Sequence, residues 1–262
     1  MTISATQRSP KPAPQRDWTL LYVLDGDNDL REAATLDLIE LDKVGTPENV
    51  SAAAQLYRGD LKWSLRNAGR KFKQLTKGKV EPAVQNDWRG MKTFQVRSRD
   101  SQDETRTIRE DKLVAHCDPA DPTALKEFVS WGMKKYPAKN YAVILSGHGG
   151  ADGLLSNSKG DKMSFDNISK ALTEASVDSG EKIDVLLLDT CSTAQQSTAD
   201  SLQGAADFVV AAPNKIKGGG WSESATLNFL EQNSAATPEQ LAESFLTDEH
   251  SSVTDPVLYD LR

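Results

Sequence analysis

The sequence predicts an α/β fold, a three-layer αβα sandwich with a mostly parallel central sheet. Near-continuous apolar runs at 18–24, 141–145 and 183–188 are typical of strands that are buried on both faces. Segments with helical spacing of apolar residues, such as 122–136, lie between these runs. Strands that alternate with helices indicate parallel βαβ units. The 262 residues suffice for one large domain with a core of its own.

The elements follow from the sequence in order. The first strand, Trp18–Leu24, ends at an acidic turn, and Asp29 with Glu32 three residues later predicts a capping box for a helix to Lys43. Ser164 predicts the cap of another helix. Further strands are predicted at 50–57, 93–96, 208–212 and 257–261, and further helices at 122–136, 165–175, after Cys191 to about 204, and from 237.

The domain organisation follows from composition. Residues 1–16 are polar and Pro-rich and predict a disordered tail, and 17–262 predict a single domain. The net charge is −7, but 58–99 holds 12 Lys and Arg against 3 Asp and Glu, so we expect a basic insertion at about 58–92. This block is either a solvated insertion or a contact for a regulatory protein partner. It carries no recognised nucleic-acid-binding motif, so we expect no nucleic acid.

The same features bear on location. No apolar run approaches the ~18 residues of a membrane span, and the first 16 residues show no apolar segment of a secretory signal. The two cysteines cannot form a disulfide framework. We therefore expect a cytoplasmic protein that does not contact a membrane.

Two reactive side chains follow two neighbouring buried strands. His148 stands in Ser-Gly-His-Gly-Gly after one strand, and Cys191 stands in Asp-Thr-Cys after the next. Catalytic groups of such sheets gather beyond the carboxyl ends of the strands. An imidazole can take the proton of a thiol and later protonate a leaving amine. The N–H groups of Gly149 and Cys191 can stabilise an oxyanion. The pattern predicts nucleophilic catalysis by a Cys–His pair.

Two other interpretations of these segments are weaker. Gly147–Gly153 resembles a dinucleotide-binding turn, but its third glycine is displaced and a polar loop follows it. Cys117 lies in a stretch without a strong pattern and is expected to be structural, as is His250.

Four segments in this order resemble the clostripain family of cysteine peptidases, which are relatives of caspases, gingipains and legumains. They are WTLLYVLDGDNDL at 18–30, DPADPTALKEFVSWGMKKYPAKNYAVILSGHGG at 118–150, IDVLLLDTCSTAQQSTAD at 183–200 and ADFVVAAPNKIKGGGW at 206–221. The resemblance covers about residues 17–262.

The resemblance implies a caspase-like sandwich and a Cys–His dyad that hydrolyses peptide bonds after Arg or Lys, without a cofactor. It identifies His148 as the base and Cys191 as the nucleophile, and Asp189 and Trp221 as substrate-binding residues of the pocket for the residue before the scissile bond (P1). Asp189 and Cys191 are two apart on a strand and share a face. The alternatives for Asp189 are that it orients His148 or caps the next helix.

The sequence departs from the family in the loop before Trp221. Relatives often carry a second acidic residue there, whereas 214–220 has none and contains Lys215 and Lys217. The sequence therefore supports catalysis more strongly than it supports basic P1 specificity.

Family members are often zymogens that cut themselves between the histidine and cysteine strands. Lys159 and Lys162 lie in that segment, in a loop suited to self-processing or to a purely solvated role. Some relatives depend on calcium, but Leu36 stands where an EF-hand loop needs its glutamate. We expect no metal, with calcium at the acidic turn 25–29 as the alternative.

Two other functions remain open from the sequence. The first is a catalytically silent caspase-like scaffold that binds a peptide or a protein partner. The second is a cysteine hydrolase that acts on an amide other than a peptide bond.

Overall fold

The structure is a computed structural model, and it describes residues 15–59, 88–99, 109–113, 118–216 and 219–262. Its strands are β1 Arg16–Gly26, β2 Val50–Arg58, β3 Gly90–Val96, β4 Arg109–Leu113, β5 Ala138–Gly147, β6 Gly149–Gly150, β7 Gly153–Ser156, β8 Lys162–Met163, β9 Val185–Thr190, β10 Phe208–Ala211 and β11 Val257–Asp260. Its helices are α1 Arg31–Val44, α2 Pro122–Lys135, α3 Phe165–Ser179, α4 Gln196–Ser201, α5 Glu223–Gln232 and α6 Pro238–Ser244.

The central sheet of the described residues has eight strands in the order β11-β10-β9-β5-β1-β2-β3-β4. The five central strands, β10 to β2, pair in parallel, and the edges pair antiparallel. This confirms the mostly parallel α/β sheet. From β1 the chain continues to β2 on one side of the sheet, and from β5 it later continues to β9 on the other side. In such sheets, ligand sites lie at the carboxyl ends of the two strands between which the direction changes.

Two apolar layers cover the sheet. Alternate residues of β1 belong to opposite layers, since Leu20 and Tyr22 join one cluster and Leu21 and Val23 the other. The first cluster includes side chains of α1, α5 and α6, and the second includes side chains of α2 and α3. Because β1 is buried on both faces, its sequence is a continuous apolar run rather than an alternating one.

Several local predictions are confirmed. Ser164 caps α3 by accepting a hydrogen bond from the Asn167 N–H, and α6 begins with a capping box between Thr237 and Gln240. The helix predicted after Cys191 is shorter than expected, since α4 ends at Ser201.

Other predictions are wrong. The capping box at Asp29 does not form, because the N-cap of α1 is Leu30, which has no side-chain cap. The loop predicted after Gly150 is instead a small antiparallel sheet of β6, β7 and β8. Helix α5 was not predicted.

Two predicted segments fall largely outside the described residues. Residues 1–14 of the polar tail and 60–87 of the basic insertion are not described. No helix in the described ranges is long and apolar enough to span a bilayer.

Candidate active site

The two predicted reactive residues lie side by side in the sheet register. Strands β5 and β9 are parallel neighbours whose final pair is Gly147 with Thr190. His148 and Cys191 each come one residue later, so both leave the sheet at its carboxyl edge. Both side chains line one cavity of about 190 Å³. The structure therefore brings together the two residues on which the functional prediction depends.

The loop after β1 supplies a carboxylate to the histidine. Asp29 Oδ1 lies 2.5 Å from His148 Nε2. The neighbouring Asn28 contacts the backbone ahead of the helix, since its Oδ1 accepts a hydrogen bond from the Leu30 N–H at 2.9 Å. With Nε2 held by a carboxylate, Nδ1 is the ring nitrogen left for proton exchange with a thiol. Sequence analysis missed this role for Asp29 because the local capping pattern explained the residue.

The cysteine sits on a tight backbone turn. Ser192 directly after it has φ of 55°, in the left-handed region that few side chains favour. The Ser192 N–H donates to the Asn214 carbonyl, and the Ile216 N–H donates to Cys191 Sγ at 3.3 Å. The loop after β10 thus gives a main-chain donor to the sulfur, and such a donor stabilises negative charge on it. Cys191 is the free cysteine of the described residues, and Cys117 lies outside them.

A glycine is required beside the cysteine. A Cβ at Gly149 would lie 2.6 Å from Thr190 Cβ and 3.1 Å from the Cys191 carbonyl oxygen. Its missing side chain lets the Gly149 backbone run directly against the strand end that carries Cys191. This is the position from which the predicted oxyanion donor has to act.

Asp189 is a buried carboxylate in the lining of the same cavity. One oxygen accepts a hydrogen bond from Ser146 Oγ at 3.2 Å, and the other accepts one from the Trp221 N–H at 3.4 Å. Burial raises the pKa of Asp189 to about 7, against the lowering effect of these two hydrogen bonds. The carboxylate that contacts His148 is Asp29 rather than Asp189.

The tight fit around Asp189 depends on Gly220. A Cβ at Gly220 would lie 2.2 Å from Asp189 Oδ1, and the residue has φ of +78°. No other residue type could hold this backbone so close to the carboxylate without displacing it.

The prediction for Trp221 is wrong as to its side chain. The indole is 3% exposed, belongs to the core cluster and donates from Nε1 to the Phe245 carbonyl at 2.9 Å. It does not line the cavity. Trp221 contacts Asp189 through its main-chain N–H, because its apolar ring packs into the core cluster on one face of the sheet.

Two further carboxyl groups line the cavity and were missed as pocket residues. Asp25, at the end of β1, is fully buried, and burial raises its pKa to about 7. Its oxygens accept hydrogen bonds from the Asp27 N–H and from Asn28 Nδ2. Asp37 lies on α1, three residues after Ala34. Its helical spacing from Ala34 is the sequence feature from which Asp37 could have been found.

Polar side chains of the acidic turn after β1 make hydrogen bonds to other parts of the protein. Asp27 Oδ2 accepts a hydrogen bond from the Ser158 N–H at 3.1 Å, and Asn28 also contacts the Ser156 carbonyl. Within the described ranges, no group of three or more His, Cys, Asp or Glu side chains could hold a metal ion. The absence of a cofactor stays a prediction.

The two lysines of the predicted processing segment differ in environment. Lys159 is exposed in the turn between β7 and β8, whereas Lys162 Nζ lies 2.7 Å from Asp152 Oδ1. The Asn157 side chain holds the turn, since its Oδ1 accepts hydrogen bonds from the N–H groups of Lys159 and Asp161. Lys159 therefore presents its side chain to solvent from an ordered turn, and self-processing there stays a prediction.

Comparison with known proteins adds to this geometry. A protein-family model described as the clostripain family matches residues 24–257. A search of curated proteins found no match.

Solved structures resemble the fold at low identity. A secreted C11 cysteine protease from Bacteroides thetaiotaomicron, in complex with an irreversible peptide inhibitor, is 18% identical and superposes with a TM-score of 0.63 over 88% of this chain and 58% of that one. A second structure of a secreted C11 protease from that organism, called iotapain, is 10% identical, with a TM-score of 0.62 over 94% and 67% of the two chains. An inactive zymogen C11 protease from Parabacteroides distasonis is 19% identical, with a TM-score of 0.57 over 90% and 59%. This chain thus spans less than two thirds of the first of these structures.

Proposed function

Because this chain belongs to the clostripain family, we propose that it is a cysteine endopeptidase that hydrolyses peptide bonds after Arg or Lys. The observation that carries the proposal is the single cavity lined by His148, Cys191 and the buried carboxyl group of Asp189. Its volume of about 190 Å³ is below the ~300 Å³ from which small-molecule sites begin, so it suits one side chain of a substrate.

In the first half of the reaction, Cys191 Sγ forms a bond to the scissile carbonyl carbon, and the thiol proton passes to His148. Asp29 acts as a positioning residue, because its carboxylate holds the ring at Nε2 and stabilises the imidazolium that forms. The oxyanion accepts hydrogen bonds from the N–H groups of Gly149 and Cys191. His148 then returns the proton to the amine as the carbon–nitrogen bond breaks.

In the second half, a water molecule attacks the thioester carbonyl while His148 takes one of its protons. The carbon–sulfur bond breaks, and the proton passes back to the sulfur of Cys191. The products are the new carboxylic acid and the free enzyme, so no cofactor is needed.

Substrate selection is assigned to Asp189. A carboxylate with remaining acceptor capacity inside a cavity pairs favourably with a guanidinium or ammonium group. Trp221 acts on substrate binding through its N–H to Asp189, which orients the carboxyl group.

Regulation and location rest on the sequence alone. The basic block 58–99 is proposed as the contact for a regulatory partner, although most of it lies outside the described residues. Self-processing at Lys159 or Lys162 would make the chain a zymogen. A cytoplasmic location stays a prediction.

The test is cleavage of fluorogenic peptides with Arg, Lys, Asp or Asn at P1, by the wild type and by Cys191→Ala, with calcium or with a chelator. We expect turnover of the Arg and Lys peptides, independent of calcium and abolished in the variant. Turnover of Asp or Asn peptides alone would refute the basic specificity. Silence of the wild type on all peptides, both as the intact chain and after limited tryptic cleavage in the turn at Lys159, with Cys191 alkylatable, would refute peptidase activity and favour the scaffold alternative.

A further inference from the structure

We propose that Asn28 is a positioning residue for His148, because its side chain fixes the turn that presents Asp29 to the imidazole, an inference that rests on the proposed function. Asn28 itself does not line the cavity. Its effect passes through Asp29, so the loss of Asn28 should matter for the reaction only while the Asp29 carboxylate is present.

The contact between Asp29 and His148 needs a backbone that is held in place. The Asp29 side chain is 63% exposed and the His148 side chain 40% exposed. An ion pair so open to water contributes little by itself, because water competes for both groups and because two side chains lose freedom. A defined geometry at Asp29 therefore depends on the main chain that carries it.

Three hydrogen bonds of the Asn28 side chain tie down this turn. Its Oδ1 accepts from the Leu30 N–H, and its Nδ2 donates to Asp25 Oδ2, both at 2.9 Å. The same Nδ2 donates to the Ser156 carbonyl on β7 at 2.9 Å. Because an amide has two N–H donors and an acceptor oxygen, one side chain can serve all three partners. The residue directly before Asp29 thus joins the turn to a second part of the chain.

Strand β7 also holds the histidine. The Leu155 N–H donates to the His148 carbonyl at 3.0 Å, and the next residue along β7 is Ser156, which accepts from Asn28. Two neighbouring residues of one strand therefore contact the main chain of His148 and the turn that carries Asp29. This short piece of main chain sets the separation of the two side chains, although neither is buried.

The backbone of β7 is strained at the point between these two contacts. Leu155 is fully buried and has φ of 57°, in the left-handed region that is unfavourable for leucine. The pairing of β7 with β8 shifts register there, between Leu154 and Ser156. Such strain persists only where the surrounding structure imposes it, and it is concentrated at functional sites. Its place beside His148 and Asn28 agrees with a strand shaped to hold both.

The experiment is a double-mutant cycle on a peptide with arginine at P1, with the wild type, Asn28→Ala, Asp29→Ala and the double variant. We expect Asn28→Ala to lower kcat roughly 5- to 50-fold and to change KM less than about threefold, because proton transfer at His148 loses its alignment. In the Asp29→Ala background, the same change should lower kcat less than about twofold, since the contact that Asn28 serves is already gone.

A second variant separates the three hydrogen bonds. Asn28→Asp keeps an acceptor for the Leu30 N–H but has no donor for Asp25 or for the Ser156 carbonyl when it is ionised. We expect its kcat to fall at least as far as that of Asn28→Ala. This variant also carries the cycle if the alanine variant does not fold.

Asn140→Ala is the matched control. It removes a half-buried amide that donates to the Asp17 carbonyl, at the amino end of the strand that leads to His148. It should leave kcat and KM unchanged, with the melting temperature recorded for every variant.

The outcomes separate this proposal from the proposed function. Equal losses of kcat from Asn28→Ala in the two backgrounds would overturn the role of Asn28 and leave the peptidase standing, since they would show a general structural effect. An unchanged kcat in folded Asn28→Ala would overturn it as well. Loss of the fold in both Asn28 variants would do the same, because it would mark Asn28 as a residue of stability alone.

A wild type that cleaves no Arg or Lys peptide would refute the proposed function. In that case the same cycle is measured as the rate of alkylation of Cys191 by iodoacetamide, followed by mass spectrometry of the peptide that carries it. Slower alkylation in Asn28→Ala that disappears in the Asp29→Ala background supports the role of Asn28, because a held imidazolium favours the reactive thiolate. Equal effects in both backgrounds, no effect, or no alkylation of the wild type overturns it.

Discussion

Two loops border the candidate site, and they contribute to it in different ways. The turn after β1 acts through side chains, since Asp29 contacts His148 and Asn28 contacts Asp25. The loop after β10 acts through its main chain, with the Ile216 N–H on Cys191 Sγ and the Trp221 N–H on Asp189. We therefore expect the identity of the side chains to matter in the first loop and the geometry of the backbone to matter in the second. Substitutions in the two loops should lower activity for different reasons.

The largest effect is expected from Gly220→Ala in the main-chain loop. The new Cβ would meet Asp189 Oδ1 at 2.2 Å, so the carboxylate or the loop has to move. We expect cleavage after arginine to fall by more than about 100-fold, because a displaced site loses both pairing and alignment. The readout is kcat/KM together with the melting temperature.

Gly204→Ala is the matched control for that change. Gly204 has the same φ of +78°, but a Cβ there would meet nothing within 4 Å. It should show the backbone strain alone, on the order of 1 kcal/mol of unfolding free energy, with unchanged kcat/KM. Equal losses of activity in the two variants would contradict the steric argument.

A smaller effect is expected from Asp29→Ala in the side-chain loop. Loss of the carboxylate on His148 Nε2 should lower kcat about 10- to 100-fold with little change in KM, because the ring is no longer held for proton transfer. The kcat of Asp29→Asn should lie between those of Asp29→Ala and the wild type, because the amide can still make one hydrogen bond to His148. A change in KM alone would show that Asp29 belongs to substrate binding instead.

The smallest effect is expected from pH, at Asp189, which the loop after β10 contacts through the Trp221 N–H. Burial raises the pKa of Asp189 to about 7, so the folded protein keeps this proton to higher pH than the unfolded chain does. The stabilising contribution of the protonated group is present below about pH 4 and is lost as the pH rises to about 7.

Asp189→Asn, which cannot ionise, should therefore raise the melting temperature by several degrees at pH 8 and leave it nearly unchanged at pH 4. Thermal unfolding at the two pH values measures this. A variant that is less stable than the wild type at pH 8 would contradict the linkage.

The sequence by itself determined the scaffold and the position of His148 and Cys191 at the carboxyl edge of its sheet. Apolar runs with helical segments between them predict parallel strands, because strands buried on both faces lack alternation. His148 and Cys191 were found because each directly follows such a strand, where the fold itself places reactive groups. The cap at Ser164 and the helix start at Thr237 were equally local and were predicted correctly.

The tertiary structure decided what surrounds that pair. A local pattern explained Asp29 as a helix cap, but the packing of β1 against β5 brings it to His148, 119 residues away along the chain. Trp221 was expected in the pocket, but the core takes its ring and leaves its N–H to the site. Local propensity depends on neighbours in sequence, whereas charge and hydrogen bonding at a site depend on neighbours in space, which only the folded chain assembles.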